Sequence, residues 1–275
     1  MKSTLSAGKT YLLRYYKTKE AKLTHLAWFV FSFIYLAYHL VEATQSAGLN
    51  APDLATRAHA FHYFYSGFLG GGNFSLLFLV TGFAGNGFVY WAHKHRNNQF
   101  THYCIQRMGR RKQYNAENLV VIFSSAIYIL TMMILTHLVM FVYLLIITGF
   151  DKIITRLDLL LFVIHLISMM NFTIIFSLLV YHIGFYIKNT YLLRASGMII
   201  FVLLILLTIF PAKWLAELLQ IDYILWIGNL SGANYFIAEN LAFDIFSQLA
   251  TLLIYSGVVC IMKKLNYGRI SRSDR

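Results

Sequence analysis

Charge is scarce in this 275-residue chain, and so are proline and cysteine. Charged side chains make up 12% of the sequence, whereas a soluble domain carries about 25%, so an ordinary water-soluble composition is excluded. Only two prolines, Pro52 and Pro211, interrupt the chain, which leaves long stretches free to continue as helix. The two cysteines, Cys104 and Cys260, are far apart and supply neither a disulfide framework nor a metal-binding pattern. Alternating segments of about ten residues, the mark of a membrane β-barrel, are missing too. Acids number 11 against 23 Lys and Arg, which gives a net charge of +12.

What is present in quantity is apolar: 59% of residues are hydrophobic. In hydrocarbon every backbone polar group must be satisfied within a helix or a closed barrel. The expected fold is therefore an all-α integral membrane protein. Six runs approach the roughly 20 residues that a span requires, at 26–44, 68–92, 118–148, 158–186, 196–212 and 241–262. The first run has no small-residue cleavage signal after it and reads as a retained span, not a signal peptide. The fifth ends at Pro211. Segment 211–240, with Trp214, Trp226, Glu217, Asp222 and Glu239, reads as an outer re-entrant or interfacial stretch.

Lys and Arg set the orientation. With the N-terminus inside, 19 of the 23 fall on inner segments and only Arg57, Lys152, Arg156 and Lys213 on outer ones. The expected topology is six spans, N-in and C-in, in a multi-pass cell membrane protein, with a basic tail at 263–275. The basic excess then faces lipid headgroups and inner partners, and no nucleic acid is called for. Eight of the 11 acids lie in or beside outer loops. Residues 1–25 mix Leu12, Leu13, Tyr15 and Tyr16 with Arg14, Lys17 and Lys19, a pattern expected of an interfacial amphipathic helix.

Two catalytic patterns fail on inspection. Ser6-Ala7-Gly8-Lys9-Thr10 ends like a phosphate-binding loop, but Ser3 stands where the first glycine belongs and no strand precedes it. The chain is not expected to hydrolyse ATP by itself. Ten histidines are present, yet no H-E-x-x-H or E-x-x-H spacing accompanies them, so no catalytic or metal site is assigned. Polar groups at bilayer depth are costly and face a bundle interior or an aqueous path. His39, Glu42, His137, His165 and Asn171 are the candidates for a translocation path, with helix–helix hydrogen bonding as the plainer role. Gly82, Gly85 and Gly87 in the second run, with Gly67 and Gly70 to Gly72 before them, let helices approach closely.

The segment 95–117 between the second and third runs is both basic and structured. Asn97 or Asn98 can cap a short helix over 96–108, with Phe100, Tyr103, Cys104 and Arg107 on one face. Gly109 breaks that helix, and Arg110, Arg111, Lys112, Tyr114 and Glu117 lead into the third span. This helix–glycine–helix elbow suits docking of an inner partner.

With the turn Arg107-Met108-Gly109-Arg110-Arg111-Lys112-Gln113-Tyr114, the chain resembles the membrane subunit of a type-2 ABC transporter (the ABC-2 permease family). That family joins a basic interfacial helix to six spans, with a coupling helix after the second span and a re-entrant stretch before the sixth, here Trp214 to Glu239. The resemblance implies an exporter subunit of amphipathic or hydrophobic cargo, such as a peptide, bacteriocin or lipophilic drug. It also implies that this chain binds no cofactor. ATP and Mg would belong to a separate ABC ATPase dimer, and a second permease subunit would complete the path. Phe100, Tyr103, Arg107, Gly109, Arg110, Arg111, Lys112, Tyr114 and Glu117 would be the ATPase-coupling residues. A multi-span lipid enzyme working through its histidines, or a peptide-binding sensor or immunity protein, are the other readings the residues allow.

Overall fold

The computed structural model describes residues 2–46, 77, 79–95, 105–106, 109–148, 156–209, 230 and 241–272, all helix or the turns that join helices. In chain order the elements are α1 (Lys2–Lys17), α2 (Lys19–Ser46), a helical stretch 79–86 that bends at Gly87 into α3 (Phe88–Lys94), α4 (Arg110–Thr148), α5 (Arg156–Ile183) with a 3-10 turn (Gly184–Tyr186), α6 (Thr190–Ile209) and α7 (Leu241–Arg272).

Local chemistry explains where the helices start. Thr18 separates α1 from α2. Its hydroxyl donates to the Tyr15 carbonyl at 2.7 Å and accepts the Ala21 N–H at 3.2 Å, which satisfies one of the donors orphaned at the head of α2. Glu20 in the first turn of α2 complements the positive end of the helix dipole. Asn189 caps α6 in the same way, accepting from Tyr191 N at 2.8 Å and Leu192 N at 3.3 Å.

Three helical segments are long and apolar enough to cross a membrane: Arg110–Leu135, Phe162–Tyr186 and Ile245–Gly268. At 1.5 Å per residue, each exceeds the roughly 30 Å of a hydrocarbon core. The outward faces are apolar as well. Ile134, Leu138, Val142 and Ile146 on α4, Val163 and Ile167 on α5, and Leu249, Leu253, Ile261 and Leu265 on α7 are all exposed. A water-soluble bundle would place polar side chains there. The architecture is compatible with a membrane protein.

The core lies where α4 crosses α5, with α7 against α5 and α1 along the first half of α4. Ala7, Tyr11 and Tyr15, four residues apart, form the buried face of α1, as helical periodicity dictates. A methyl group added at Gly8 would come into ordinary contact with the Ala116 carbonyl and Leu119 on α4. The stretch that ends like a phosphate-binding loop is thus one continuous helix packed on α4. The interfacial helix expected over 1–25 ends at Lys17, and its tyrosine face meets protein. The expected runs also differ from the helices at their ends. Helix α4 begins at Arg110, not 118, and α7 continues to Arg272, not 262. Hydropathy marks the lipid-matched portion of a helix, while backbone hydrogen bonding continues into polar sequence.

His25, near the start of α2, joins α1 to α2. Its Nδ1 lies 2.8 Å from the Ala21 carbonyl and its Nε2 3.4 Å from the Tyr16 hydroxyl. The geometry fits a neutral ring that donates through Nδ1 and accepts through Nε2. Burial lowers the His25 pKa from its ordinary 6.5, the Ala21 hydrogen bond opposing this in part. A depressed folded pKa means that the unfolded chain binds the proton more readily. His25 therefore stabilises the fold fully above pH 6.5 and progressively less as pH falls below it. Thermal unfolding in detergent should show a midpoint that drops on acidification, and His25→Gln should flatten part of that drop.

Candidate functional site

Ile105 and Gln106 are helical, and the Gly109 N–H donates to the Ile105 carbonyl at 2.7 Å. Gly109 then adopts φ +77°, a left-handed conformation that ends helices and favours glycine. Helix α4 starts at the next residue, and Gln113 N donates back to the Gly109 carbonyl at 3.2 Å. The bend expected at Gly109 is therefore present. Arg111 and Lys112 are exposed and Arg110 half-buried. The Arg111 guanidinium lies 5.1 Å from the centre of the Tyr267 ring on α7, in cation–π range. Phe100, Tyr103 and Arg107 lie outside the described residues, as do the expected caps Asn97 and Asn98.

Tyr114 and Glu117, grouped with the elbow on sequence grounds, turn into the bundle. One turn above the bend, the buried Tyr114 hydroxyl lies 3.0 Å from His182 Nδ1 and 3.5 Å from the Lys263 carbonyl. Two turns above it, Glu117 is 5% exposed. Its carboxylate accepts from the Tyr181 hydroxyl at 2.5 Å and from Gln113 Nε2 at 2.9 Å. Asn266 of α7 donates to the His182 carbonyl at 3.0 Å, and His93 of α3 lies 3.0 Å from the Tyr181 carbonyl. These bonds join α3, α4, α5 and α7 in one polar knot directly above the elbow. A carboxylate at such a position is tolerated because neighbouring helices supply donors.

Nothing in the sequence pattern singles out Tyr181 or Asn266, and His93 and His182 are two of the ten histidines without a motif. The signal available was Glu117 itself: an acid at the head of an apolar run needs donors. Nothing in the sequence says which helix, 64 positions away, provides them.

Of the candidate path residues, two have described side chains, His165 and Asn171. His165 is fully buried in α5 and Asn171 half-buried. They lie six residues apart, so about 100° per residue puts them on different faces. His39 and Glu42 belong to α2 and His137 to α4, but their side chains lie outside what is described. Among the described residues no three of His, Cys, Asp and Glu gather to hold a metal ion. Cys260 is a free, exposed cysteine.

A second feature lies between α1, α2, α3 and α6. A cavity of about 360 Å³ is lined by Tyr15, Glu20, Trp28, Tyr90, Trp91 and Arg194 among others. Lys94 pairs with Glu20 at its edge, and Glu20 raises the Lys94 pKa, chiefly through the hydrogen bond between them. Arg194 stacks over the Tyr90 ring at 4.3 Å and donates to its hydroxyl at 3.0 Å.

Comparison with protein-family models, with curated proteins and with solved structures finds no match.

Proposed function

We propose that the chain is the membrane permease subunit of an ABC exporter, with six spans, N-in and C-in, in the cell membrane. A separate ATPase dimer would supply ATP hydrolysis and a second permease subunit would complete the path. The observation that carries this reading is the left-handed bend at Gly109, which presents Arg111 and Lys112 at the head of a 39-residue helix. Exposed cations on a defined bend suit an acidic surface on an inner partner. The polar knot gives such docking a mechanical consequence. A force on the elbow meets Tyr114 and Glu117 within two turns, and through them α5 and α7. Coupling needs a difference in contacts between two states, and these hydrogen bonds are the contacts that a tilt of α4 would exchange. The resemblance to that family points to an amphipathic or hydrophobic cargo.

The test is co-purification in mild detergent. The wild-type chain is expected to retain an ABC ATPase. Arg111→Glu with Lys112→Glu should lose at least about 90% of it, since like-charge contacts at an interface cost several kcal/mol. The variant's unfolding midpoint should move little, because both side chains are exposed and the lost Arg111 contact with Tyr267 is opposed by placing acids in the first turn of α4. Absence of any ATPase from wild-type preparations would sink the exporter reading and direct attention to the histidines.

A further inference from the structure

The polar knot gathers three helix ends at one end of the bundle: the start of α4, the end of α5 and the last turns of α7. Tyr114 of α4 reaches His182 of α5 and the Lys263 carbonyl of α7, and Asn266 of α7 donates to the His182 carbonyl. Next to these bonds the Arg111 guanidinium lies over the Tyr267 ring. The Phe185 ring, in the 3-10 turn after α5, meets the Tyr114 ring edge-on at 5.7 Å. Side chains from each element therefore fix the three ends relative to one another.

The surface around this junction carries charge of one sign. Arg111 and Lys112 on α4, Lys188 after the 3-10 turn and Lys264 on α7 are exposed, with the exposed Tyr186 among them. Among the described residues, α4, segment 183–189 and residues 263–272 of α7 contribute one acid, Glu117, which is buried and bonded to Tyr181. Helix α7 also outruns its apolar stretch, which ends at Met262, and continues to Arg272. At 1.5 Å per residue that extension adds about 15 Å of rigid helix. Lipid headgroups rearrange around any Lys or Arg near a helix end and need no fixed spacing. Cations held at set positions around a tyrosine suit a protein surface of opposite sign, where charge complementarity selects the partner and its register and Tyr and Arg are favoured anchors.

We infer that the elbow is one part of a wider docking surface. Arg111 and Lys112, the turn with Tyr186 and Lys188, and Lys264 on the α7 extension together receive one acidic face of the partner ATPase. This inference rests on the exporter reading and adds two contacts to it, each on an element tied to the knot. Movement of the partner then acts on α5 and α7 directly, and not through α4 alone.

The test leaves the elbow intact. Full-length Lys188→Glu with Lys264→Glu is compared with Lys188→Arg with Lys264→Arg for the ABC ATPase retained in mild detergent. The Glu pair should retain about tenfold less than wild type, since like charges across an interface oppose binding, and the Arg pair as much as wild type. Photo-crosslinking gives an answer even if the Glu pair fails to fold. A benzoylphenylalanine in place of Tyr186 or Lys264 should join the same ATPase, and one in place of Leu253, exposed on the apolar part of α7, should not. Full retention by the Glu pair with no crosslink from 186 or 264, while Arg111→Glu with Lys112→Glu releases the ATPase, would overturn the wider surface and leave the exporter reading standing. Wild type without an ATPase would sink both. A Glu pair that keeps the ATPase but loses co-purifying phosphatidylglycerol, measured by mass spectrometry, would assign these cations to lipid headgroups and overturn the protein partner.

Discussion

Replacing Gly197 by leucine is expected to abolish the monodisperse folded protein, while the same change at Gly257 leaves it intact. A Cβ built at Gly197 would run into the Thr81 carbonyl and approach the Gly85 N–H, and one at Gly85 would meet the Arg194 carbonyl. These are backbone atoms of the helix opposite. A flexible side chain could rotate away from a new methyl group, whereas a backbone carbonyl moves only with its helix. Overpacking costs about 1–3 kcal/mol where side chains can adjust, and more where they cannot. Gly197→Leu should lie above that range, and Gly197→Ala near about 3 kcal/mol. The space around Gly257 is open and the residue is exposed on α7. Substitution there should be neutral, or slightly stabilising through helix propensity. Size-exclusion profiles and thermal unfolding in detergent compare the two directly. Aggregation of both variants alike would show that the crossing of 79–86 with α6 is not the close contact described.

Tyr181→Phe is expected to lower stability by about 2–3 kcal/mol, the worth of a hydrogen bond to a charged group. The ring remains, so the packing of Tyr181 against Tyr114 and Phe185 is preserved and the loss reads the hydroxyl alone. The Glu117 carboxylate would stay buried with one donor fewer. Glu117→Gln should cost less than Glu117→Ala, because the amide keeps the shape of the carboxylate and can still accept from Tyr181. In Tyr181→Phe with Glu117→Gln, the second change should recover part of the loss, since no buried charge is then left short of a donor. Unfolding midpoints of the four proteins complete the cycle. Strict additivity would mean that the two residues do not act on one another.

Much of this protein could be read directly from its residues. Low charge, two prolines and long apolar runs dictate helices long and apolar enough to cross lipid, because in hydrocarbon a helix satisfies its own backbone. Gly109 among basic residues marks the bend before α4, because few other residues adopt a positive φ without strain.

What only the tertiary structure decided depends on contacts distant in sequence. Tyr114 and Glu117 look like parts of a basic surface when read beside Arg111 and Lys112. They turn inward because 100° per residue carries them to the face of α4 that meets α5, where Tyr181 and His182 supply partners. Tyr15 looks suited to a lipid interface, yet it is buried, with Tyr11 one turn before it, on the face of α1 that packs in the core. The cavity between α1, α2, α3 and α6 draws its walls from three regions of the chain. Local propensity and hydropathy act within a turn or a span, whereas a helix chooses its partners through shape and hydrogen-bond complementarity between surfaces that no single run contains.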